Sequence, residues 1–256
     1  MSRHPKPPAR EASRDTARIH EVEKPAALIA RALAKDYGDG PALHPLDLRV
    51  EEHERVALIG HNGSGKTTFL RMATGLLEPA SGSVTVFGEA PGSMEARRRL
   101  SYLADTPTFY EDLSVWEHLE YTARLHGRAD WEQRAADLLG QLGIYERADD
   151  LPTRFSRGLK QKAAIAMAFI RPFDLMLVDE PFVGLDAEGK EALLELFDEA
   201  SSAGASLVVA THELGFVTTT QRTVALRDGA LIFDGPSSQA EARGLVAVEG
   251  TAETES

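Results

Sequence analysis

None of the 256 residues is cysteine, which excludes disulfides, thiolate zinc sites and cysteine nucleophiles and leaves no redox clue to compartment. Long apolar runs are also missing. A spanning helix needs roughly 18 to 20 apolar residues, and the longest run here, AAIAMAFI, stops at Arg171 and Pro172. The chain itself is therefore not expected to cross a bilayer. Positive charge is in deficit: 28 Lys and Arg against 40 Asp and Glu leave a formal net charge of −12. That balance opposes broad attraction to nucleic-acid phosphates, so no nucleic-acid partner is expected. The start of the chain, Met1 to Pro25, mixes Pro, Arg and acids without the apolar core of a secretory signal. It reads as a flexible leader on a cytosolic protein.

The length fits one α/β domain. Residues 1–24 and 237–256 are poor in large apolar side chains and are expected to be flexible, which leaves 25–236 as the folded part. Three short apolar runs, RVALIG from Arg55, FDLMLVDE from Phe173 and SLVVATHE from Ser206, each end in polar residues. Buried parallel strands read this way, and their polar ends gather where open α/β folds bind ligands. Between about 108 and 158 such strands are absent, and two amphipathic helices are expected as an insertion. The first opens on a capping box, Ser114 with Glu117, and carries Trp116, Leu119 and Ala123 at helical spacing. The second starts at Asp130, carries Trp131, Ala135, Leu138, Leu139 and Leu142 on one face, and stops near Gly143. These stripes are read as core.

Chemistry enters at Gly60–Leu70, GHNGSGKTTFL, which fits G-x-x-x-x-G-K-[ST] between an apolar strand and a helix from Lys66 to about Thr74. Glycines at 60, 63 and 65 permit the tight turns that aim successive N–H groups and a helix N-terminus at phosphates. His61, Asn62, Ser64 and Thr68 complete the loop; Lys66 would neutralise phosphate charge and Thr67 would ligate Mg²⁺. Thr68 stands where a G-x-G-x-x-G dinucleotide fingerprint needs its third glycine, so that fingerprint fails. Four apolar residues, Leu175–Val178, then lead to Asp179, positioned for Mg²⁺, and Glu180, positioned to polarise an attacking water.

With Tyr37 ahead of the loop, YLAD at 102–105, FSRGLKQK at 155–162, LVDEP at 177–181, GLD at 184–186 and TH at 211–212, the chain resembles the ATP-binding subunits of ATP-binding cassette (ABC) transporters. The resemblance covers about Ala26 to Pro236 and is most like the bacterial exporter type. It implies a P-loop NTPase fold: a RecA-like mixed sheet with N-terminal antiparallel strands and an inserted helical subdomain. It also implies an ATPase using ATP and Mg²⁺ at the cytoplasmic face of the membrane, with a separate permease and a second ATP-binding subunit as partners.

By the same resemblance, Tyr37 would stack on adenine, unless it is an ordinary loop tyrosine. Ser156 and Gly158 would meet the γ-phosphate of ATP held by the second subunit, with Arg157 and Asp186 at that dimer interface. Asp186 can equally be read as a helix N-cap. His212 would hold water and Glu180 in position, and HELGF lacks the second histidine of a zinc site. Thr106–Leu119 is the candidate permease contact, with Phe109 and Tyr110 either exposed as anchors or packed internally.

Two residues depart from the family pattern. Asp105 replaces glutamine near Mg²⁺, and Arg157 replaces the first glycine of S-G-G. A required positive φ would tolerate arginine poorly; a helical backbone would let the side chain project outward or toward phosphate. A soluble ABC-type ATPase that remodels nucleic-acid or ribosome complexes is the alternative. Such proteins usually carry two cassettes or a large coiled-coil or cysteine-rich insertion, whereas this chain has one cassette, no cysteine and an acidic balance. A P-loop GTPase or small-molecule kinase would leave FSRGLKQK and TH unexplained, and the chain has no guanine-reading N-K-x-D.

Overall fold

The computed structural model describes residues 26–38 and 40–245. In chain order the elements are β1 Ala26–Asp36, β2 Pro41–Glu51, β3 Arg55–Ile59, α1 Lys66–Ala73, β4 Ser81–Val86, α2 Met94–Arg99, β5 Leu100–Leu103, α3 Val115–Leu125, α4 Trp131–Gln141, α5 Arg157–Ile170, β6 Leu175–Asp179, α6 Ala187–Ser202, β7 Ser206–Ala210, α7 Leu214–Val217, β8 Arg222–Arg227, β9 Ala230–Pro236 and α8 Ser237–Ala242. The strands form two sheets. One is antiparallel, in the order β2-β1-β4; the other has six strands in the order β5-β6-β7-β3-β8-β9, all parallel except β9.

The apolar runs β3, β6 and β7 are continuous because both faces of the larger sheet are covered. Side chains alternate between two cores with the period of a strand. Ala57, Ile59, Met176, Val178, Leu207 and Val209 face the helical core with α3–α6. Val56, Leu58, Leu175, Leu177, Val208 and Ala210 face α1 and the antiparallel sheet. Arg222 ties the two sheets together. Its Nε and one terminal nitrogen donate to Asp234 at 2.7 and 2.8 Å, and the other donates to Glu54 at 3.0 Å and to the Arg49 carbonyl at 2.8 Å. These carboxylates outweigh its burial and hold its pKa above the ordinary guanidinium value.

The helical insertion begins at α3, where Ser114 and Glu117 form the reciprocal capping box at 3.2 and 2.8 Å. Serine-to-alanine substitution at an N-cap costs about 1 kcal/mol, so Ser114→Ala should lower the unfolding free energy by that amount in a denaturant titration. The two tryptophans meet across α3 and α4 with centroids 5.4 Å apart. Phe109 tucks against His118 with centroids 5.5 Å apart, whereas Tyr110 stays exposed. Of the two aromatic anchors expected for a partner, the structure presents one. His118 explains this: buried in α3, it uses Nδ1 on the Ser114 carbonyl at 2.7 Å and Nε2 on the Tyr110 N–H at 2.9 Å.

One boundary is corrected. The chain does not lose structure at Ser237. It continues into α8, because Ala240 is fully buried and Leu245 packs on the helical core. The leader, and the tail from 246, lie outside the described residues.

Candidate functional site

The chain leaves β3 at Ile59, turns through 60–65 and enters α1. Gly60 is required on two grounds: φ is +152°, and a Cβ would sit 2.3 Å from the Leu226 carbonyl and 2.5 Å from Ser64 Oγ. Gly65 caps α1 without any side-chain hydrogen bond. The first-turn N–H groups therefore remain available to an anion, and the helix dipole adds partial positive charge there. The exposed His61 ring sets Nδ1 2.8 Å from the Asn62 carbonyl and Nε2 3.3 Å from Asp228 Oδ1.

Lys66 is nearly buried and folds back over the loop. Its Nζ donates to the Gly60 carbonyl at 2.5 Å and stands 3.2 Å from Glu180 Oε1. The second contact is one of charge, since Glu180 Oε1 has no partner at hydrogen-bond geometry. On the other side, His212 Nδ1 lies 3.2 Å from Glu180 Oε2. Glu180 itself adopts φ +46°, a conformation sparsely populated without glycine and costing of order 1–3 kcal/mol. Its N–H donates to the Ala210 carbonyl at 2.8 Å, and Gln161 Nε2 holds the next carbonyl, Pro181, at 3.0 Å. The strained residue is thus fixed by β7 and α5 between a lysine and a histidine.

Asp179 ends β6 fully buried, and neither carboxylate oxygen has a hydrogen-bond partner. Burial raises its pKa above 3.8; the Thr67 hydroxyl is near enough to oppose the shift without completing a normal hydrogen bond, and Asp105 and Glu180 add to it. The native state therefore holds this proton more tightly than the unfolded chain does. Stability falls as pH rises from about 3.8 through the raised value, and the penalty persists at neutral pH. Asp179→Asn should accordingly raise the melting temperature of the nucleotide-free protein at neutral pH, by roughly 2–4 °C per kcal/mol recovered. Scanning fluorimetry at pH 4 and pH 7.5 checks this: the gain over wild type should shrink at the lower pH.

Above these groups lies a cavity of about 540 Å³ lined by Asn62, Gly63, Ser64, Gly65, Lys66, Thr67, Thr68, Asp105, Arg157, Glu180 and His212. Ala42 and Val183 line it as well and were not expected. Ala42 arrives through the path of β2, its carbonyl 2.9 Å from where a Gly65 Cβ would stand, and no local signal marks it.

Seven expected residues do not line this cavity: Gly60, His61 and Asp179, described above, and Tyr37, Ser156, Gly158 and Asp186. Tyr37 is 59% exposed at the end of β1, with Lys35 Nζ 5.4 Å from its ring centroid. Ser156 caps α5, accepting from Leu159 N–H at 3.4 Å, and Gly158 packs so closely that a Cβ would meet the Gly184 carbonyl at 2.6 Å. Asp186 is the N-cap of α6: it accepts from Gly189 N–H at 2.8 Å and pairs with Lys162 at 3.0 Å, and both contacts lower its pKa. Arg157 resolves the question of its backbone. It is the first residue of α5, has no positive φ, and lays its stem over Gly184.

A glycine-rich loop closed by a lysine, over an acidic strand end on a mixed sheet, defines a P-loop nucleotide-binding protein. The ABC transporter family model matches residues 43–183, more than half of the sequence, and the chain belongs to that family. The SkfA peptide export ATP-binding protein SkfE of Bacillus subtilis (strain 168) is 35% identical over 205 residues, 79% of this chain and 86% of that protein. A solved ATP-binding subunit of an ABC transporter superposes with a TM-score of 0.78 at 32% identity, covering 87% of this chain and 95% of that one. A dimeric ATP-binding cassette bound to ADP and phosphate shares the fold, with a TM-score of 0.74 at 23% identity over 82% of this chain and 98% of that one. The chain is an ATP-binding subunit of this family and an ATPase. Among the described residues no helix is long and apolar enough to cross a membrane.

Proposed function

We propose that this subunit powers export through a separate membrane permease, as one half of a pair of cassettes that close on ATP and reopen after hydrolysis. The observation that carries the reading is Glu180 held between Lys66 and His212 at 3.2 Å on each side, beneath a cavity open to a triphosphate. The loop N–H groups and Lys66 bind and neutralise the phosphates. Glu180 accepts the proton of a water that attacks the γ-phosphorus, and the bond to ADP breaks. His212 keeps the carboxylate turned toward that water.

The donor set fits Mg²⁺. The two buried, unpartnered oxygens of Asp179, with the Thr67 hydroxyl and the Asp105 carboxylate that line the cavity, are the hard oxygen ligands that ion takes. When bound, Mg²⁺ supplies neutralisation of phosphate charge.

Ser156, Gly158 and Asp186 lie away from their own cavity, which supports their use on ATP held by a second cassette. Export as the direction rests on the likeness to SkfE, whose name gives peptide export. For the permease, the contact runs through Thr106–Leu119 and the groove beside it. The test is to express Glu180→Gln, add ATP and Mg²⁺, and identify what co-purifies from gently solubilised membranes. A polytopic membrane protein at stoichiometric level is the expected result. Ribosomal or DNA-associated partners without any membrane protein would overturn the reading in favour of a remodelling ATPase.

A further inference from the structure

Arg157 alone of the stretch 155–162 lines the cavity of its own chain. Two contacts fix the start of α5 to the turn that leaves Glu180. Gly158 is pressed so closely onto it that a Cβ would meet the Gly184 carbonyl at 2.6 Å, and Gln161 Nε2 donates to the Pro181 carbonyl at 3.0 Å. From that anchored start the Arg157 stem runs over Gly184, its Cγ, Cδ and Nε lying 3.3, 3.4 and 3.7 Å from where a Cβ at 184 would stand. The bare backbone of Gly184 leaves this path open, and Val183 beside it is part of the cavity wall.

The guanidinium is exposed and makes no hydrogen bond, ion pair or ring contact among the described residues. Arg157 is the first residue of α5, where the helix dipole disfavours positive charge, and no acid stands in that first turn. Helix stability therefore does not account for a cation here. Lys66, by contrast, is matched by Glu180 at 3.2 Å, and His212 faces the same carboxylate at 3.2 Å. Arg157 is thus the positive charge on the cavity that is left for an anion entering it, and its planar fork of donors fits phosphate oxygens two at a time. Its direction of approach selects the phosphate. The loop N–H groups and Lys66 reach from the start of α1, whereas Arg157 comes along the turn after Glu180, the side on which the terminal phosphate meets the attacking water.

We propose that Arg157 binds the γ-phosphate of the ATP held by its own chain, so that a single cassette distinguishes ATP from ADP before a second one closes on it. The inference rests on the reading of this cavity as the triphosphate site. It adds a contact that glycine, the usual residue of the family pattern at this position, could not make.

The test compares ADP with the non-hydrolysable ATP analogue AMP-PNP, each with Mg²⁺, by displacement of a fluorescent nucleotide from the full chain. The protein is kept dilute enough that sedimentation with nucleotide present shows a monomer. Arg157→Ala should weaken AMP-PNP binding about 10- to 100-fold, the range of a charge-assisted hydrogen bond, and leave ADP affinity within about twofold. Arg157→Lys should recover part of the loss, because it restores the charge without the fork. The retained ADP affinity also reports that each variant is folded. An equal loss for both nucleotides, or an unchanged preference for AMP-PNP over ADP in Arg157→Ala, overturns the contact and leaves the cavity reading standing. A loss that appears only at concentrations where the protein dimerises puts Arg157 on the nucleotide of the second cassette and overturns the assignment to its own. Wild-type protein that binds neither nucleotide overturns the cavity reading and the proposal together.

Discussion

Glu180→Gln is expected to lower ATP turnover by about a thousandfold while leaving ATP affinity within a few-fold of wild type. Loss of a positioned general base typically costs 10²–10⁴ in rate. Glutamine keeps the length and one oxygen of the side chain but cannot take a proton. The ground-state contacts to phosphate come from the loop N–H groups and Lys66, which this change does not remove. It also replaces the carboxylate that meets Lys66 and His212 at 3.2 Å by a neutral group. Lys66 is thereby freed for phosphate, so ATP binding should hold or tighten slightly. Single-turnover hydrolysis and equilibrium binding, measured on the same preparation with its membrane partner, separate the two effects. A variant that hydrolyses at the wild-type rate would show that another group takes the proton.

The parts of the fold with a local cause were legible in the sequence. β3, β6 and β7 were marked by continuous apolar runs, since each is buried on both faces. The start of α3 was marked by Ser114 and Glu117, whose reciprocal hydrogen bonds need no third residue. The phosphate loop, Asp179 and Glu180 were legible for a related reason: a strand end followed by chemistry is a contiguous pattern. What was not legible is set by distant chain. The pairing of β1 with β4, which follows the phosphate loop, and the order β5-β6-β7-β3 depend on register between segments far apart in sequence. Ala42, near the start of β2, reaches the cavity because that strand packs beside Gly65 and Gly229. The course of the Arg157 side chain and the partial burial of Phe109 depend likewise on Gly184 and His118, neither of which announces its neighbour. Strain was equally hidden, because the positive φ of Glu180 follows from its anchoring to Ala210 and Gln161's hold on Pro181.

Lys66→Ala should act on the other half of the machinery and abolish nucleotide binding rather than turnover of bound nucleotide. A charge-assisted contact contributes about 1.5–3 kcal/mol, and a lysine that meets both β- and γ-phosphates makes two of them. The combined loss is roughly 3–6 kcal/mol, a fall in affinity of about 10²–10⁴. Before ATP arrives the Lys66 ammonium is held by the Gly60 carbonyl at 2.5 Å and by Glu180 at 3.2 Å, so the cation is already aimed and little side-chain freedom remains to be lost. Lys66→Arg should recover only part of the affinity. The charge returns, but a planar guanidinium cannot occupy the compact, nearly buried position of the ammonium. Binding of a fluorescent ATP analogue, titrated at low and high salt, measures the loss. Because the phosphate contact is made in a partly enclosed cavity, the deficit should persist at high salt, where a surface charge effect would be screened away. A variant that bound ATP normally would leave the loop N–H groups and the α1 dipole as the whole of the phosphate site, and the contact of Lys66 with Glu180 would then be structural.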